Sequence, residues 1–250
     1  MSSCWNCSLN RNPKNLMVVP LTLPGRGVLF DLDGTLADTA PDLGFALNQQ
    51  RLARGMPELP VAVVRSQASS GARGLLKIGF GIEPGQSSYE AMRDEFLDIY
   101  EENLARSSRL FPGVSALLEQ IERRGLRWGI VTNKAERFTF PLLRALSLME
   151  RAGCVICGDT TPNPKPHPAP LLAAAEKLRV PPGQCIYVGD DERDVQAGHA
   201  AGMPVVVARY GYLGNGTPPE QWGADGFVDT PADLLGILFD GARGRSDRMA

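Results

Sequence analysis

The feature that most constrains the fold of this 250-residue chain is a series of short apolar runs that each end in polar residues or glycine. Stretches with helical periodicity separate the later runs. Strands that alternate with helices of this length are typical of βαβ units, in which helices cover both faces of a parallel sheet. The pattern therefore predicts an α/β fold. The predicted strands are 27–30, 128–131, 155–157, 185–188 and 205–208, and the helices between them are 114–124, 138–148, 169–178 and 191–201.

A long interval between the first two predicted strands breaks this rhythm. About ninety residues lie there, far more than one crossover connection needs. Helical stretches separated by Gly and Pro fill the interval, at 42–54, 62–69, 72–80 and 89–105. We therefore expect a small helical domain over 41–109, inserted into an α/β domain made of 27–40 and 110–240.

The two ends of the chain are expected to lie outside these domains. Residues 1–26 are polar at first and then broken by prolines, which predicts an unstructured lead-in rather than a signal peptide. Met17 is a second candidate for the start of translation. Residues 241–250 are polar and predict a flexible tail.

Composition excludes several classes of function. Hydrophobic residues make up 43% of the chain and charged residues 22%, and the net charge is −2. These values are ordinary for a globular protein and leave no broad basic surface for nucleic acid. No apolar run approaches the ~18 residues that a membrane-spanning helix needs. We therefore expect no nucleic-acid partner and no membrane contact.

The five cysteines indicate a reducing compartment. An odd count does not suit a disulfide framework. Cys4 with Cys7, and Cys154 with Cys157, have the C-x-x-C spacing found in zinc sites. The second pair lies along a predicted strand, however, where residues three apart point to opposite faces. Buried thiols are the better interpretation of that pair, and we expect a cytoplasmic protein.

Polar and charged side chains follow the first, second and fourth predicted strands at the points where these strands end. The residues at these strand ends are Asp31, Asp33, Thr132, Asn133, Asp190, Asp191 and Asp194. Gly34 allows a tight turn after the first strand, and Lys165 lies between two prolines that stiffen its backbone. Because ligands bind beyond the carboxyl ends of parallel strands, we expect these side chains to converge on one site.

Such a set of side chains suits the transfer of a phosphoryl group. Mg²⁺ is commonly held by one or two carboxylates together with phosphate oxygens, and Asp31 and Asp190 are the candidates. An aspartate can also be the nucleophile and form an aspartyl phosphate. A second carboxylate then protonates the leaving oxygen and later activates water. A hydroxyl and an ammonium group would neutralise charge on the non-bridging oxygens.

Two residues keep an alternative interpretation. Asp191 belongs to an acidic cluster that also suits the first turn of a helix, and so it either supports the metal ligands or caps the helix. Arg73, in the glycine-containing stretch 69–74 of the inserted helices, either presents its charge to an anionic substrate or is a surface arginine near a helix start.

The motifs, in this order, resemble those of the haloacid dehalogenase superfamily. The resemblance rests on residues 31–36, Thr132, Lys165 and 189–194, and covers about 27–240. It implies a Rossmann-like parallel sheet core with a helical cap that closes over the site. It also implies a Mg²⁺-dependent phosphatase that acts on a small phosphorylated metabolite.

The resemblance also implies a role for each residue. Asp31 would be the nucleophile and a metal ligand. Asp33 would be the general acid and base and would give its backbone carbonyl to the metal, and Asp190 would complete the protein ligands.

The remaining side chains would hold the phosphoryl group or support the others. Thr132 and the backbone of Asn133 would bind the phosphoryl group, and Lys165 would neutralise its charge. Asp194 would orient Lys165 or a metal-bound water, with Asp191 beside it.

Two branches of the superfamily share further motifs with the chain. Residues 38–42, 131–134, 165–168 and 210–212 resemble phosphoglycolate phosphatases, and residues 189–191 and 222–225 resemble N-acetylmuramic acid 6-phosphate phosphatases. We expect the first activity, with the second as the alternative and a sugar-phosphate mutase of the β-phosphoglucomutase type as a more distant one. The chain is expected to be a monomer or a homodimer.

Overall fold

The computed structural model describes residues 27–214 and 216–239. The expected lead-in, the first cysteine pair, Met17 and the expected tail lie outside the described residues. In chain order the strands are β1 (Gly27–Phe30), β2 (Ala37–Asp38), β3 (Arg109–Leu110), β4 (Arg127–Val131), β5 (Val155–Ile156), β6 (Cys185–Gly189), β7 (Val205–Ala208) and β8 (Gly226–Val228). The α-helices are α1 (Ala40–Ala53), α2 (Val61–Ala68), α3 (Gly71–Phe80), α4 (Tyr89–Glu102), α5 (Val114–Arg123), α6 (Glu136–Ala145), α7 (Ala169–Leu178), α8 (Glu192–Ala200) and α9 (Asp233–Phe239).

A six-stranded parallel sheet forms the centre of the molecule, in the order β5-β4-β1-β6-β7-β8. Its middle strand β1 is fully buried, and Phe30 pairs in register with Ile130 of β4 and Val188 of β6. This register places the residues that follow the three strands at one edge of the sheet. The α/β fold expected from the sequence is confirmed, and β8 extends the sheet beyond the five strands that the apolar runs predicted.

Helices cover both faces of the sheet because successive residues of each strand point to opposite sides. Val28 and Phe30 pack with Leu117 and Leu118 of α5 on one face. On the other face, Leu29 packs into the cluster that contains residues of α7 and α8. Among the described helices, none has the length and apolar composition to cross a bilayer.

Four helices, α1 to α4, lie between β2 and β3 and have a hydrophobic core of their own. We call these four helices, with the loops that join them, the cap. Leu47, Leu75 and Phe96 are among its fully buried side chains, and Phe138 and Tyr212 from the remainder of the chain join the same cluster. The two-residue strands β2 and β3 pair antiparallel, so the chain enters and leaves the cap through one hydrogen-bonded ladder.

The described cysteines, Cys154, Cys157 and Cys185, are buried and unpaired. Burial raises the pKa of the Cys154 and Cys185 thiols to about 11, which keeps them protonated and weakly reactive near neutral pH. Buried thiols were the expected state of the pair at 154 and 157.

Candidate active site

A tight turn after β1 brings two carboxylates to the edge of the sheet. The backbone N–H of Asp31 still donates to the Val188 carbonyl (2.8 Å), which continues the pairing with β6 for one more residue. The chain then folds back so that the N–H groups of Leu36 and Ala37 both donate to the Leu32 carbonyl. Gly34 has a φ of 88° in this turn, and a Cβ there would collide with the carboxylate of Asp190. Glycine therefore permits both the turn and the close approach.

Lys165 lies almost fully buried (4% exposed) at the centre of the site. Its Nζ is 2.9 Å from Oδ1 of Asp31, 2.8 Å from Oδ1 of Asp194 and 2.7 Å from the hydroxyl of Tyr187. Burial acts to lower the pKa of Lys165, but the charges of Asp194 and Asp31 outweigh it, and the pKa lies above its ordinary value. Lys165 is therefore a permanent cation beside the expected nucleophile.

The side chain of Asn133 fixes the backbone of Lys165. Its Nδ2 donates to the Lys165 carbonyl and its Oδ1 accepts from the Lys165 N–H, both at 2.9 Å. The sequence motifs suggested only a backbone role for Asn133. The two hydrogen bonds tie the loop that carries Lys165 to the end of β4, because Asn133 follows that strand.

Three buried carboxylates, Asp31, Asp190 and Asp194, place oxygens within 4.8 Å of one another. Burial is the main cause that raises the pKa of Asp31 to about 7, with Lys165 opposing and Asp194 adding to the shift. Burial and the charges of Asp31 and Asp194 likewise raise the pKa of Asp190 well above its ordinary value. Oδ1 of Asp31 is buried and faces the Lys165 ammonium as its ion-pair partner. Buried like charges brought this close together fit a divalent cation.

Asp194 differs from the other two carboxylates because its lone pairs are already used. Oδ1 accepts from Lys165 Nζ and the Tyr187 hydroxyl, and Oδ2 accepts from the N–H groups of Asp190 and Asp191. A carboxylate offers about four such positions. Asp194 therefore orients Lys165 and, with the N-cap residue Asp191, forms the capping box of helix α8. Asp31 and Asp190 are the carboxylates of the cluster with room for a cation.

Asp190 keeps room for a further ligand on each oxygen. Oδ1 accepts from Thr35 Oγ1 at 3.0 Å, and Oδ2 accepts from the N–H of Tyr212 at 2.8 Å. Gly211 packs against the same side chain so closely that a Cβ there would collide with it. These contacts hold the Asp190 carboxylate in one orientation toward Asp31.

Asp33 is held by two donors that the motifs did not identify. Its Oδ1 accepts from Lys134 Nζ (2.9 Å) and from Thr39 Oγ1 (2.5 Å). Both partners of the Lys134–Asp33 ion pair are largely buried. Burial acts to lower the pKa of Lys134, but Asp33 and Tyr100 together outweigh it and the pKa lies above its ordinary value. With Oδ1 engaged twice, Oδ2 is the oxygen available to carry a proton. The sequence signal for the Lys134 contact was the position of this lysine directly after Thr132 and Asn133.

Thr132 and Asp191 lie in the same site, and Arg73 does not. Thr132 is buried and its Oγ1 accepts from the Lys134 N–H. Asp191 accepts from the guanidinium of Arg193, whose Nη2 also donates to the Ser69 carbonyl in the cap (2.6 Å). Arg73 is exposed and does not line the cavity described below.

A cavity of about 460 Å³ lies between the strand ends and the cap. Its polar wall includes Asp31, Asp33, Thr132, Lys134, Lys165 and Arg193, and its cap wall includes Leu43, Ala68, Ser69, Phe96, Leu97 and Tyr100. Cavities of roughly 300–1,000 Å³ hold drug-sized ligands. The cavity therefore joins a charged floor suited to a phosphoryl group with a largely apolar wall suited to an organic group.

The family model for haloacid dehalogenase-like hydrolases matches residues 28–208. The chain belongs to the haloacid dehalogenase-like hydrolases. This confirms the resemblance inferred from the motifs and accounts for the order in which the strand-end residues occur along the chain.

Two relatives of this haloacid dehalogenase-like hydrolase are named as phosphatases. The chain is 43% identical over 214 residues to the N-acetylmuramic acid 6-phosphate phosphatase of Pseudomonas putida, covering 85% of this chain and 96% of the relative. It is 44% identical over 209 residues to the phosphoglycolate phosphatase of Xanthomonas campestris, covering 84% and 94%. The crystal structure of a predicted phosphoglycolate phosphatase from Haemophilus somnus superposes with a TM-score of 0.76 at 31% identity, covering 86% of this chain and 98% of that one.

Proposed function

We propose that this hydrolase is a phosphomonoesterase of small phosphorylated metabolites. The observation that carries the proposal is the buried cluster of Asp31, Asp190 and Lys165 on the floor of the cavity, with Asp33 beside it. An acidic nucleophile, an acid and base, and a fixed cation are what a two-step phosphoryl transfer through an aspartate requires.

Two bond exchanges follow from this arrangement. A carboxylate oxygen of Asp31 attacks phosphorus while the ester bond breaks, and a proton on Oδ2 of Asp33 passes to the leaving alcohol oxygen. Asp33, now ionised, accepts a proton from a water molecule as that water attacks the phosphorus of the aspartyl phosphate. Phosphate leaves, and Asp31 and Asp33 return to their starting states.

Lys165 and Thr132 act on the phosphoryl oxygens through both exchanges. Lys165 stays charged because of its buried carboxylate partners, and Asn133 and Asp194 prevent it from moving. Fixed donors aimed at developing charge need no reorganisation during the reaction, which is the main source of electrostatic catalysis.

The cofactor of this proposal is Mg²⁺, which the carboxylates of Asp31 and Asp190 and the backbone carbonyl of Asp33 would hold. Mg²⁺ would neutralise negative charge on the phosphoryl oxygens and on Asp31. The acidic cluster supports this assignment because its carboxylates have raised pKa values and hard oxygen ligands suit Mg²⁺.

Two substrates are proposed from the names of the relatives. 2-Phosphoglycolate is the first expectation from the motifs, and N-acetylmuramic acid 6-phosphate is the alternative. The volume of the cavity and its apolar cap wall favour the alternative, because a two-carbon acid fills little of about 460 Å³. We also propose a cytoplasmic location, which the unpaired buried cysteines support.

The deciding experiment compares kcat/KM for the two substrates in the presence of Mg²⁺. A hundredfold preference corresponds to about 2.7 kcal/mol of differential transition-state stabilisation. We expect the amino-sugar phosphate to be preferred, in line with the cavity. A hundredfold preference for 2-phosphoglycolate would assign the chain to that activity instead. Formation of an isomerised product without free phosphate would indicate a mutase.

A further inference from the structure

Tyr100, on cap helix α4, has a buried hydroxyl without a partner. The residue is 1% exposed and lines the cavity. Its hydroxyl makes no hydrogen bond of ordinary geometry with the described residues, and the nearby Lys134 ammonium leaves the hydroxyl proton free to donate. A buried polar group left in this state destabilises the folded protein, since it has lost its hydrogen bonds to water. A phenylalanine would avoid that cost, and the hydroxyl is therefore expected to have a partner that enters the cavity.

The ring of Tyr100 is held in place. It stacks on Phe96, with the ring centroids 6.4 Å apart, and packs at a tilt against Phe138 at 5.5 Å. Lys134 Nζ lies 5.0 Å from the ring centroid. Burial raises the pKa of Tyr100, so the hydroxyl is neutral and keeps its proton to donate. The position of the donor is fixed before any ligand arrives.

Tyr100 lines the cavity between the expected phosphoryl site and the rest of the cap. Lys134, which contacts the ring, bonds directly to Asp33, the group that protonates the leaving oxygen. The organic part of the substrate begins at that oxygen. Tyr100 is therefore placed beside the first atoms of the organic group rather than beside the phosphoryl oxygens.

The charged side chains that line the cavity already have partners, so a hydrogen bond to the organic group of the substrate is expected to come from a neutral donor. Lys134, Lys165 and Arg193 are each already paired with a carboxylate. Ser69, in the cap wall, has a second buried hydroxyl oxygen without a partner among the described residues. The cap side of the cavity thus offers unpaired hydroxyl groups in an otherwise apolar wall.

We propose that Tyr100 is a specificity-determining residue whose hydroxyl donates a hydrogen bond to an oxygen on the organic group of the substrate, with Ser69 as a second contact. The ligand class is an oxygen-bearing alcohol moiety, such as a sugar or a hydroxy acid, esterified to phosphate. This inference rests on the proposed phosphomonoesterase function, and it assigns recognition of the alcohol part of the ester to Tyr100.

The test compares Tyr100→Phe with the wild-type enzyme on matched substrate pairs in Mg²⁺. One pair is N-acetylmuramic acid 6-phosphate and cyclohexylmethyl phosphate, and the other is 2-phosphoglycolate and isobutyl phosphate. Isobutyl phosphate matches 2-phosphoglycolate in shape without the carboxylate oxygens. Cyclohexylmethyl phosphate keeps the six-membered ring and the methylene ester of the amino-sugar phosphate but lacks its ring oxygen, hydroxyl, acetamido and lactyl groups. We expect kcat/KM for the polar member of the preferred pair to fall at least tenfold, and for its apolar partner to change less than twofold. Sites that hydrogen-bond a substrate oxygen discriminate in this way.

Thermal unfolding of the ligand-free variant gives a second readout. Because Tyr100→Phe removes an unpartnered hydroxyl, we expect its Tm to equal or exceed that of the wild type. Tyr89→Phe is the matched control: Tyr89 is buried on the same helix but does not line the cavity, and its selectivity is expected to match the wild type.

Three results would overturn the inference. Equal losses on the polar and apolar esters would remove the specificity role. A lower Tm with unchanged selectivity would make the hydroxyl structural. Failure of the wild-type enzyme to release phosphate from 4-nitrophenyl phosphate and from every ester of the two pairs would overturn the proposed function itself, and the role of Tyr100 with it.

Discussion

Asp31 is buried among other acidic residues. Its replacement is expected to change catalytic activity without unfolding the protein. We predict that Asp31→Asn lowers kcat by about 10⁴-fold or more, the order of loss found when a group of a covalent catalytic unit is removed. The fold should persist because Lys165 keeps its contact with Asp194. Phosphate release and circular dichroism on the purified variant measure the two effects.

The control for this variant is Asp191→Asn. Asp191 lines the same cavity but bonds to Arg193 rather than to Lys165. Its replacement is expected to reduce activity far less. Retained turnover in folded Asp31→Asn protein would rule out the aspartyl-phosphate mechanism.

The Lys134–Asp33 pair makes a prediction about stability. Removing one member of a buried ion pair leaves the other charge uncompensated, which costs about 3–5 kcal/mol. We predict that Lys134→Met lowers the free energy of unfolding by about this amount, and that adding Asp33→Asn restores part of it. Urea unfolding of the two variants measures the difference. Additive losses in the double variant would show that the two side chains are not coupled.

At the scale of an element, the turn after β1 depends on Gly34 both for its positive φ and for its close approach to Asp190, and variants can test the two effects separately. Alanine at a positive φ costs roughly 1–2 kcal/mol, and at Gly34 its Cβ would also collide with Asp190. We predict that Gly34→Ala loses Mg²⁺-dependent activity and more stability than this strain alone explains. Kinetics and urea unfolding provide the measurements.

Gly55→Ala is the matched control for the turn. Gly55 has a φ of 69°, and a Cβ there would have open space around it. This variant should show the backbone strain without loss of activity. Similar behaviour of the two variants would mean that the approach of Gly34 to Asp190 does not matter.

The elements of the site differ in how far the sequence predicts them. The sequence predicts Asp31 and Asp190 because each follows an apolar strand, and it predicts Lys165 because that residue lies in a loop stiffened by prolines. Parallel strands bring the residues at their carboxyl ends to one edge of the sheet. Tyr100 and the contact of Arg193 with Ser69 depend on how the cap lies against the core. No local pattern encodes that packing, and the apolar periodicity of α4 reports Tyr100 only as a core residue.

Across the whole molecule, the acidic cluster makes stability depend on pH and on Mg²⁺ together. The pKa of Asp31 is about 7 in the folded protein, above the ~4 of an unfolded aspartate. The folded state therefore binds the extra proton, and the free energy of unfolding of the metal-free protein falls as pH rises from about 4 to about 7. Asp190 acts in the same direction.

We predict that Mg²⁺ raises Tm more at pH 7.5 than at pH 5, because the cation replaces protons that are already lost at the higher pH. Thermal unfolding with Mg²⁺ and with a chelator at both values measures the effect. Asp190→Asn should reduce both the pH dependence and the response to Mg²⁺. An equal response to Mg²⁺ at the two pH values would place the cation away from these carboxylates.

The pairing of β2 with β3 makes the segment between them exchangeable as a unit. Asp38 and Arg109 face each other across one antiparallel ladder, so the seventy residues between them begin and end within one strand spacing. The sheet, Asp31 and Lys165 lie outside that segment, so another helical insert that also covers Phe138 and Tyr212 is expected to leave them in place. Reaction chemistry and choice of alcohol can thus be recombined as separate modules, by gene duplication in nature or by chimeric libraries at the bench.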